Sequence, residues 1–262
     1  MDFLFYILAG AGVGLAVGLT GVGGGSLMTP LLILFGIPEK IAIGTDLLYA
    51  SVTKTGAMVT HTRQGTVRWR LVFWMAAGSI PASLATSYVL SNIIPPDMDY
   101  SALLSKALGI MLIMTAFVVF FRRKIQGDDR EVEIGWVHRH ASRITFAAGI
   151  FLGIFVTLSS VGAGAFGAAL LMWLYPRLPA IHVVGTDIAH AVPLTFIAGL
   201  GHLWIGNVDF ILLGGLLIGS LPAVHIGSKA AAKIPNTILQ PILASLLLVI
   251  GIRFAFFAST GH

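Results

Sequence analysis

The chain contains no cysteine in 262 residues, so disulfides and thiolate-held metals are excluded, and the redox compartment leaves no mark on it. Charge is scarce too. Only 10% of the residues are Asp, Glu, Lys or Arg, where a soluble domain carries about 25%. No HExxH or comparable spacing occurs, so neither a metal nor a cofactor is expected. Paired catalytic carboxylates and a nucleophile spaced to a base are missing as well, which argues against an enzyme. The N-terminal Met1-Asp2-Phe3 lacks the positive n-region of a signal peptide, so the first apolar run is expected to stay in the mature protein. What fills the chain is apolar: 56% hydrophobic residues and a mean hydropathy of +0.92. These values predict an all-α polytopic membrane protein. The net charge of +5 is sorted by loop and forms no nucleic-acid-binding face.

Apolar segments fall at about 3–20, 26–36, 41–60, 71–90 and 103–121, and again at about 145–161, 164–175, 181–203, 208–227 and 237–258. The basic stretch 122–143 is the only long hydrophilic segment. It is read as a cytoplasmic linker between an N-terminal membrane repeat (1–121) and a C-terminal one (144–262). The halves are copies at a constant offset of 141 residues. Gly21 meets Gly162, Pro38 meets Pro179, Gly44-Thr45-Asp46 meets Gly185-Thr186-Asp187, and His61 meets His202. Each half is expected to hold a glycine-broken first hairpin followed by three transmembrane helices. Loop charge favours inverted copies: Arg63, Arg68, Arg70, the linker, Arg177, Lys229 and Lys233 then share one side, and Asp2, Glu39, Lys40, Asp97, Asp99, Lys106 and Asp209 the other. Parallel copies would strand Arg177, Lys229 and Lys233 outside.

The run from Phe3 to Ile37 would make a straight helix of roughly 50 Å, against a hydrocarbon core of roughly 30 Å. It must break, and Gly21-Val-Gly-Gly-Gly25 marks the place. Backbone that leaves the helix at membrane depth belongs where it is buried in protein or lines a polar cavity. Gly21, Gly23, Gly24, Gly25 and Ser26, with the echo at Gly162 and Gly164, are therefore candidate substrate-binding positions whose N–H groups suit an oxyanion. Gly10, Gly14 and Gly18 read more simply as a helix-packing face.

Lys54 stands deep in an apolar segment, where a lysine costs roughly 2.5–3.5 kcal/mol. It is the candidate cation for an anionic substrate; a structural ion pair or snorkelling to the interface are the plainer readings. Asp46 and Asp187 are candidate proton carriers or, equally, helix N-caps. His190, one turn after Asp187, could relay a proton with it or hold a buried hydrogen bond. Thr45 and Thr186 join the candidate binding set. Asp46, Tyr49, Thr53, Gly56 and Thr60 form one polar or small face expected to point inward. On the second copy of that face, Pro193 is expected to interrupt. His61 and His202 read as turn or interface residues rather than ligands.

With these residues assembled, the chain resembles the TauE/SafE family of sulfite exporters, also called the toluene sulfonate uptake permease family. The resemblance rests on Gly18-Leu-Thr-Gly-Val-Gly-Gly-Gly25, Ala42-Ile-Gly-Thr-Asp46, Gly65-Thr-Val-Arg-Trp69, Val184-Gly-Thr-Asp187 and His202-Leu-Trp-Ile-Gly-Asn-Val-Asp209. It implies ion-gradient-driven movement of sulfite, thiosulfate or a small organosulfonate. The expected function is a proton-coupled, alternating-access transporter in the cell inner membrane. An uncoupled anion channel on the same scaffold is the alternative. Expected partners are the small anion, protons and membrane lipid; nucleic acid is not among them, and a homo-oligomer is compatible with the sequence.

Overall fold

The computed structural model describes residues 3–20, 25–95, 98–125, 140–231 and 236–257, and every regular element among them is helical. The first half holds α1 (Phe3–Thr20), α2 (Gly25–Leu34), α3 (Glu39–Arg63), α4 (Trp69–Tyr88, prolonged by a π-helical turn at Val89–Ile93) and α5 (Ser101–Ile125). The second holds α6 (Ala141–Ser159), α7 (Ala165–Leu174), α8 (Ala180–Ile205), α9 (Phe210–Ala231) and α10 (Asn236–Ile252, with a π-helical turn at Arg253–Phe257). Each helix of the first half thus has its copy in the second. Among the described residues five helices are long and apolar enough to cross a membrane, including the stretches Ser101–Phe121, Ala180–Ile205 and Phe210–Ala230. The chain is an all-α membrane protein. α5 runs into the basic linker as far as Ile125 and α6 begins at Ala141; the rest of the linker, 126–139, lies outside the described residues.

Proline sets where the two central helices begin. Pro38 and Pro179 sit at the N-caps of α3 and α8 with nearly identical torsions, φ −55°, ψ 139° and φ −55°, ψ 141°. Their fixed φ suits the entry to a helix that begins at the next residue. Asp46 and Asp187 therefore fall in the second turn, inside the helices, and the N-cap reading of them is corrected. Pro193 does not interrupt α8, which runs through it unbroken to Ile205.

The halves interlock by exchanging partners. Copies α1 and α6 pack on α9 and α4, each from the other half, while α3 meets its own copy α8 and α5 meets α10. Small residues make these contacts close. A Cβ added to Gly10 would sit 2.8 Å from the Leu216 Cα, and one on Gly14 would sit 2.7 Å from the Ser220 Cα, so the packing face foreseen on α1 lies against α9. Gly149 and Gly153 press in the same way on Met75, Ser79 and Ala82 of α4.

Direction is readable from the pairs. Along α1 and α9 the contacts rise together, Gly10 with Leu216 and Gly18 with Val224. Along α3 and α8 they run oppositely: Gly44 lies against His202, Leu48 against Gly199, and His61 against Gly185. The two copies α3 and α8 cross antiparallel.

Candidate functional site

The α3–α8 crossing brings the buried charges together. Asp46 is fully buried, Asp187 is 2% exposed and Lys54 is 9% exposed, in the middle of a helical protein. Lys54 lies between the Leu48–Gly199 and His61–Gly185 contacts, near the centre of the crossing. Its Nζ donates a 2.7 Å hydrogen bond to the Ala163 carbonyl, in the broken segment between α6 and α7. Its charge acts on both Asp187 and Asp46 and on His190. No carboxylate comes within ion-pair distance of it: among the described residues the one close pair is Lys40–Asp99, 2.9 Å apart at the surface. The plain ion-pair reading of Lys54 thus has no support in the geometry, and neither does snorkelling, since the ammonium ends on a buried carbonyl.

The two acids are held differently. Thr29 Oγ1 of α2 donates to Asp46 Oδ2, and Ser160 is also close to this carboxyl, yet Asp46 Oδ1 has no partner. Asp187 Oδ1 is likewise without one, and it crowds the Cα of Gly167 so closely that no side chain fits there. His190 Nε2 shares a 2.8 Å hydrogen bond with Ser79 Oγ, and its Nδ1 is unpartnered. The copy of this pair, Tyr49 with Ser220, is also close together, but Ser220 Oγ makes no hydrogen bond. Buried polar atoms are normally satisfied. Here Asp46 Oδ1, Asp187 Oδ1, His190 Nδ1, Ser160 Oγ and Ser220 Oγ are not, nor are Ser87 Oγ and Thr115 Oγ1, and the residues of the first three all feel the charge of Lys54. Unsatisfied acceptors and donors under the field of a buried cation are chemically able to take a polar guest.

The second glycine turn behaves as broken backbone must. α6 ends at Ser159, Ser160 is left-handed, and Gly162 and Gly164 have φ of 116° and 143°, open only to glycine at no cost. Ser160, Val161 and Ala163 are buried, so the turn is enclosed in protein. In the first half Gly25 and Ser26 open α2, while Gly21, Gly23 and Gly24 lie outside the described residues.

Thr45 and Thr186 are placed elsewhere. Thr45 Oγ1 accepts the Asp209 N–H at 3.1 Å, and its copy Thr186 Oγ1 accepts the Arg68 N–H at 2.9 Å. These two bonds, interchanged when the halves are interchanged, fasten each central helix to the loop of the other half. His61 bonds to Thr66 Oγ1 in its own turn, and His202 to the Thr157 carbonyl, as expected of turn and interface residues. The polar face of α3 is only half enclosed: Asp46 and Tyr49 are buried, but Gly56 and Thr60 are exposed, which corrects the expectation that the whole face points inward. Among the described residues no group of three His, Asp or Glu is placed to hold a metal.

Thr29, Ser79 and Ser160 were not foreseen. Each is a hydroxyl in a mostly apolar stretch; Thr29 and Ser79 reach Asp46 and His190 from another helix, and Ser160 lies next to Asp46 from another segment.

The family profile described as Sulfite exporter TauE/SafE matches residues 6–254. The chain is 38% identical over 251 residues to the probable membrane transporter protein YjnA of Bacillus subtilis, covering 94% of this chain and 97% of that one. It is 28% identical to YdhB of the same organism, over 90% and 96% of the two chains. It is also 28% identical to a probable membrane transporter protein of Methanocaldococcus jannaschii, over 94% and 92%. No solved structure matches the chain. A helical membrane chain with a buried lysine bonded to broken backbone, matched along nearly its whole length, is a membrane transporter rather than an enzyme: it belongs to the TauE/SafE sulfite exporter family.

Proposed function

We propose that the protein is a proton-coupled secondary transporter of a small sulfur oxyanion, sulfite or an organosulfonate, working by alternating access across the cell inner membrane. The observation that carries this reading is Lys54, buried at the α3–α8 crossing, bonded to the broken backbone at Ala163 and flanked by two carboxyls with unpartnered oxygens. A buried cation on a carbonyl is poorly satisfied, and an anion arriving beside it would relieve that. The two carboxyls offer a place for a proton to travel with, or against, the anion. The family's description as sulfite exporters supports the choice of anion.

The two halves are read as inverted repeats. The antiparallel crossing of α3 with α8 supports this, as does the way both sets of loop charges then fall on single sides, Arg63, Arg68 and Arg177 on one and Glu39, Asp99 and Asp209 on the other. Such repeats place the site at their interface. Alternating access draws support from a difference between the copies. In the second half Gly201 of α8 is covered by Ser87 of α4, whose Cβ would lie 2.7 Å from an added Cβ. The equivalent pair, Thr60 of α3 and Ser228 of α9, is exposed on both sides. This difference in exposure supports one access path shut at Ser87 and Gly201 and an equivalent one open at Thr60 and Ser228, toward the end bearing Arg63 and Lys229.

The test is labelled-sulfite flux in liposomes carrying the purified protein. The wild type is expected to move sulfite, and Lys54→Ala to lose at least about ten-fold of that rate, the order expected when a charge-assisted bond goes unmade. Unchanged rate and affinity in Lys54→Ala would remove Lys54 from the anion site.

A further inference from the structure

The chain leaves the α6 helix at Ser160, before any glycine is reached. Ser160 has φ 59° and ψ −1°, and its N–H donates to the Val156 carbonyl at 2.7 Å. Among the described residues it alone has a positive φ without being glycine. That conformation crowds any Cβ against the following carbonyl, and glycine is its natural occupant. Glycines follow at 162 and 164, yet the left-handed position carries serine.

The side chain gives the backbone no reason for this. Ser160 is 2% exposed and its Oγ has no hydrogen-bond partner. It stands close to Asp46, whose Oδ1 is also unpartnered. Three residues further on is the carbonyl that holds Lys54. The copy of Ser160 in the first half is Leu19, within α1, so the hydroxyl serves no repeated structural purpose. A strained backbone position with an unsatisfied buried hydroxyl points to function rather than packing.

Resting on the transport reading above, we propose that Ser160 is a substrate-contacting residue: its hydroxyl donates to an oxygen of the transported oxyanion while Lys54 supplies the opposing charge. The anion would then be gripped by one group from each half, a lysine of α3 and a hydroxyl from the turn between α6 and α7. A hydroxyl rotates to suit its partner, so one left without a hydrogen bond can turn to an arriving oxyanion.

Two variants separate hydroxyl from backbone. Ser160→Gly removes the hydroxyl and relieves the strain; Ser160→Ala removes the hydroxyl and keeps the strain. Concentration-dependent uptake of labelled sulfite, its pH profile and thermal unfolding are measured for both, in the full-length protein. Expected are a KM raised roughly ten-fold in both variants, a maximal rate within about two-fold of wild type, an unmoved pH profile, and Ser160→Gly at least as heat-stable as wild type. An unchanged KM in Ser160→Gly overturns the proposal. So does a shifted pH profile at unchanged KM, which would place the hydroxyl on Asp46 alone, and so does a lower unfolding temperature for Ser160→Gly, which would make it a structural bond. If the wild type moves neither sulfite, thiosulfate nor an alkylsulfonate, the transport reading fails before this one is reached.

Discussion

Lys54 and the two aspartates differ in what their loss should do. Among the described residues Asp187 has no hydroxyl donor like the one Thr29 gives Asp46, and its Oδ1 is left unpartnered under the charge of Lys54. Asp187→Asn mimics the protonated acid, so it is expected to lose concentrative uptake driven by a pH gradient while keeping exchange of labelled for unlabelled sulfite across the membrane. Asp187→Asn that still concentrates sulfite would move the coupling role to Asp46. At this scale the sequence exposes charges well and their partners poorly. Lys54, Asp46 and Asp187 stand out because charge in an apolar run is expensive. Thr29 and Ser160 do not, because a hydroxyl in such a run costs little and its meaning comes only from the helix it meets. Asp46 inside α3 rather than at its cap follows from Pro38, a helix start the Gly-Thr-Asp pattern concealed.

Helix pairing turns on small residues, and neighbouring glycines of α1 should answer differently to the same change. Gly14 faces the backbone of Ser220, whereas Gly12 has nothing within 4 Å of an added Cβ. Gly14→Ala is expected to destabilise by about 1–3 kcal/mol through overpacking, lowering the unfolding temperature of the detergent-purified protein. Gly12→Ala should leave it unchanged or raise it, since alanine is the better helix former. Equal effects would contradict the α1–α9 contact. Repeated glycine spacing marked the face of α1 in advance; the partner, one half of the chain away, could not be read from it. At the surface, Lys40 ties the start of α3 to the loop before α5. Its hydrogen bond, with those of Ser101, holds the Asp99 carboxyl well below its usual range, at about 2, and its ammonium also lies over the Tyr100 ring. The contribution of this pair should be present above about pH 4, the ordinary aspartate value, and fade as pH falls toward 2. Because the pair is exposed, Lys40→Ala should change the unfolding temperature at neutral pH only slightly.

For the whole molecule, the order of segments, the duplication and the break in the first helix were legible because each rests on hydropathy, length or recurrence along the chain. The antiparallel meeting of α3 with α8, and the unequal exposure of Ser87 and Ser228 beside them, were not, since they are relations between halves. The absence of native cysteine makes the crevices directly testable. Thr60→Cys and Ser228→Cys should react with a membrane-impermeant thiol reagent applied from the side of the basic loops, and Ser87→Cys should react slowly from either side until sulfite is cycled. Equal reactivity of all three would contradict one shut and one open crevice. The central claim is coupled transport, and one measurement bears on it most directly: labelled sulfite in liposomes of purified protein, with and without an imposed pH gradient. The account predicts accumulation of sulfite above equilibrium along the gradient, collapsing when a protonophore dissipates it. Flux that only equilibrates sulfite, at the same rate with or without the gradient, would contradict it and leave an uncoupled anion pathway in its place.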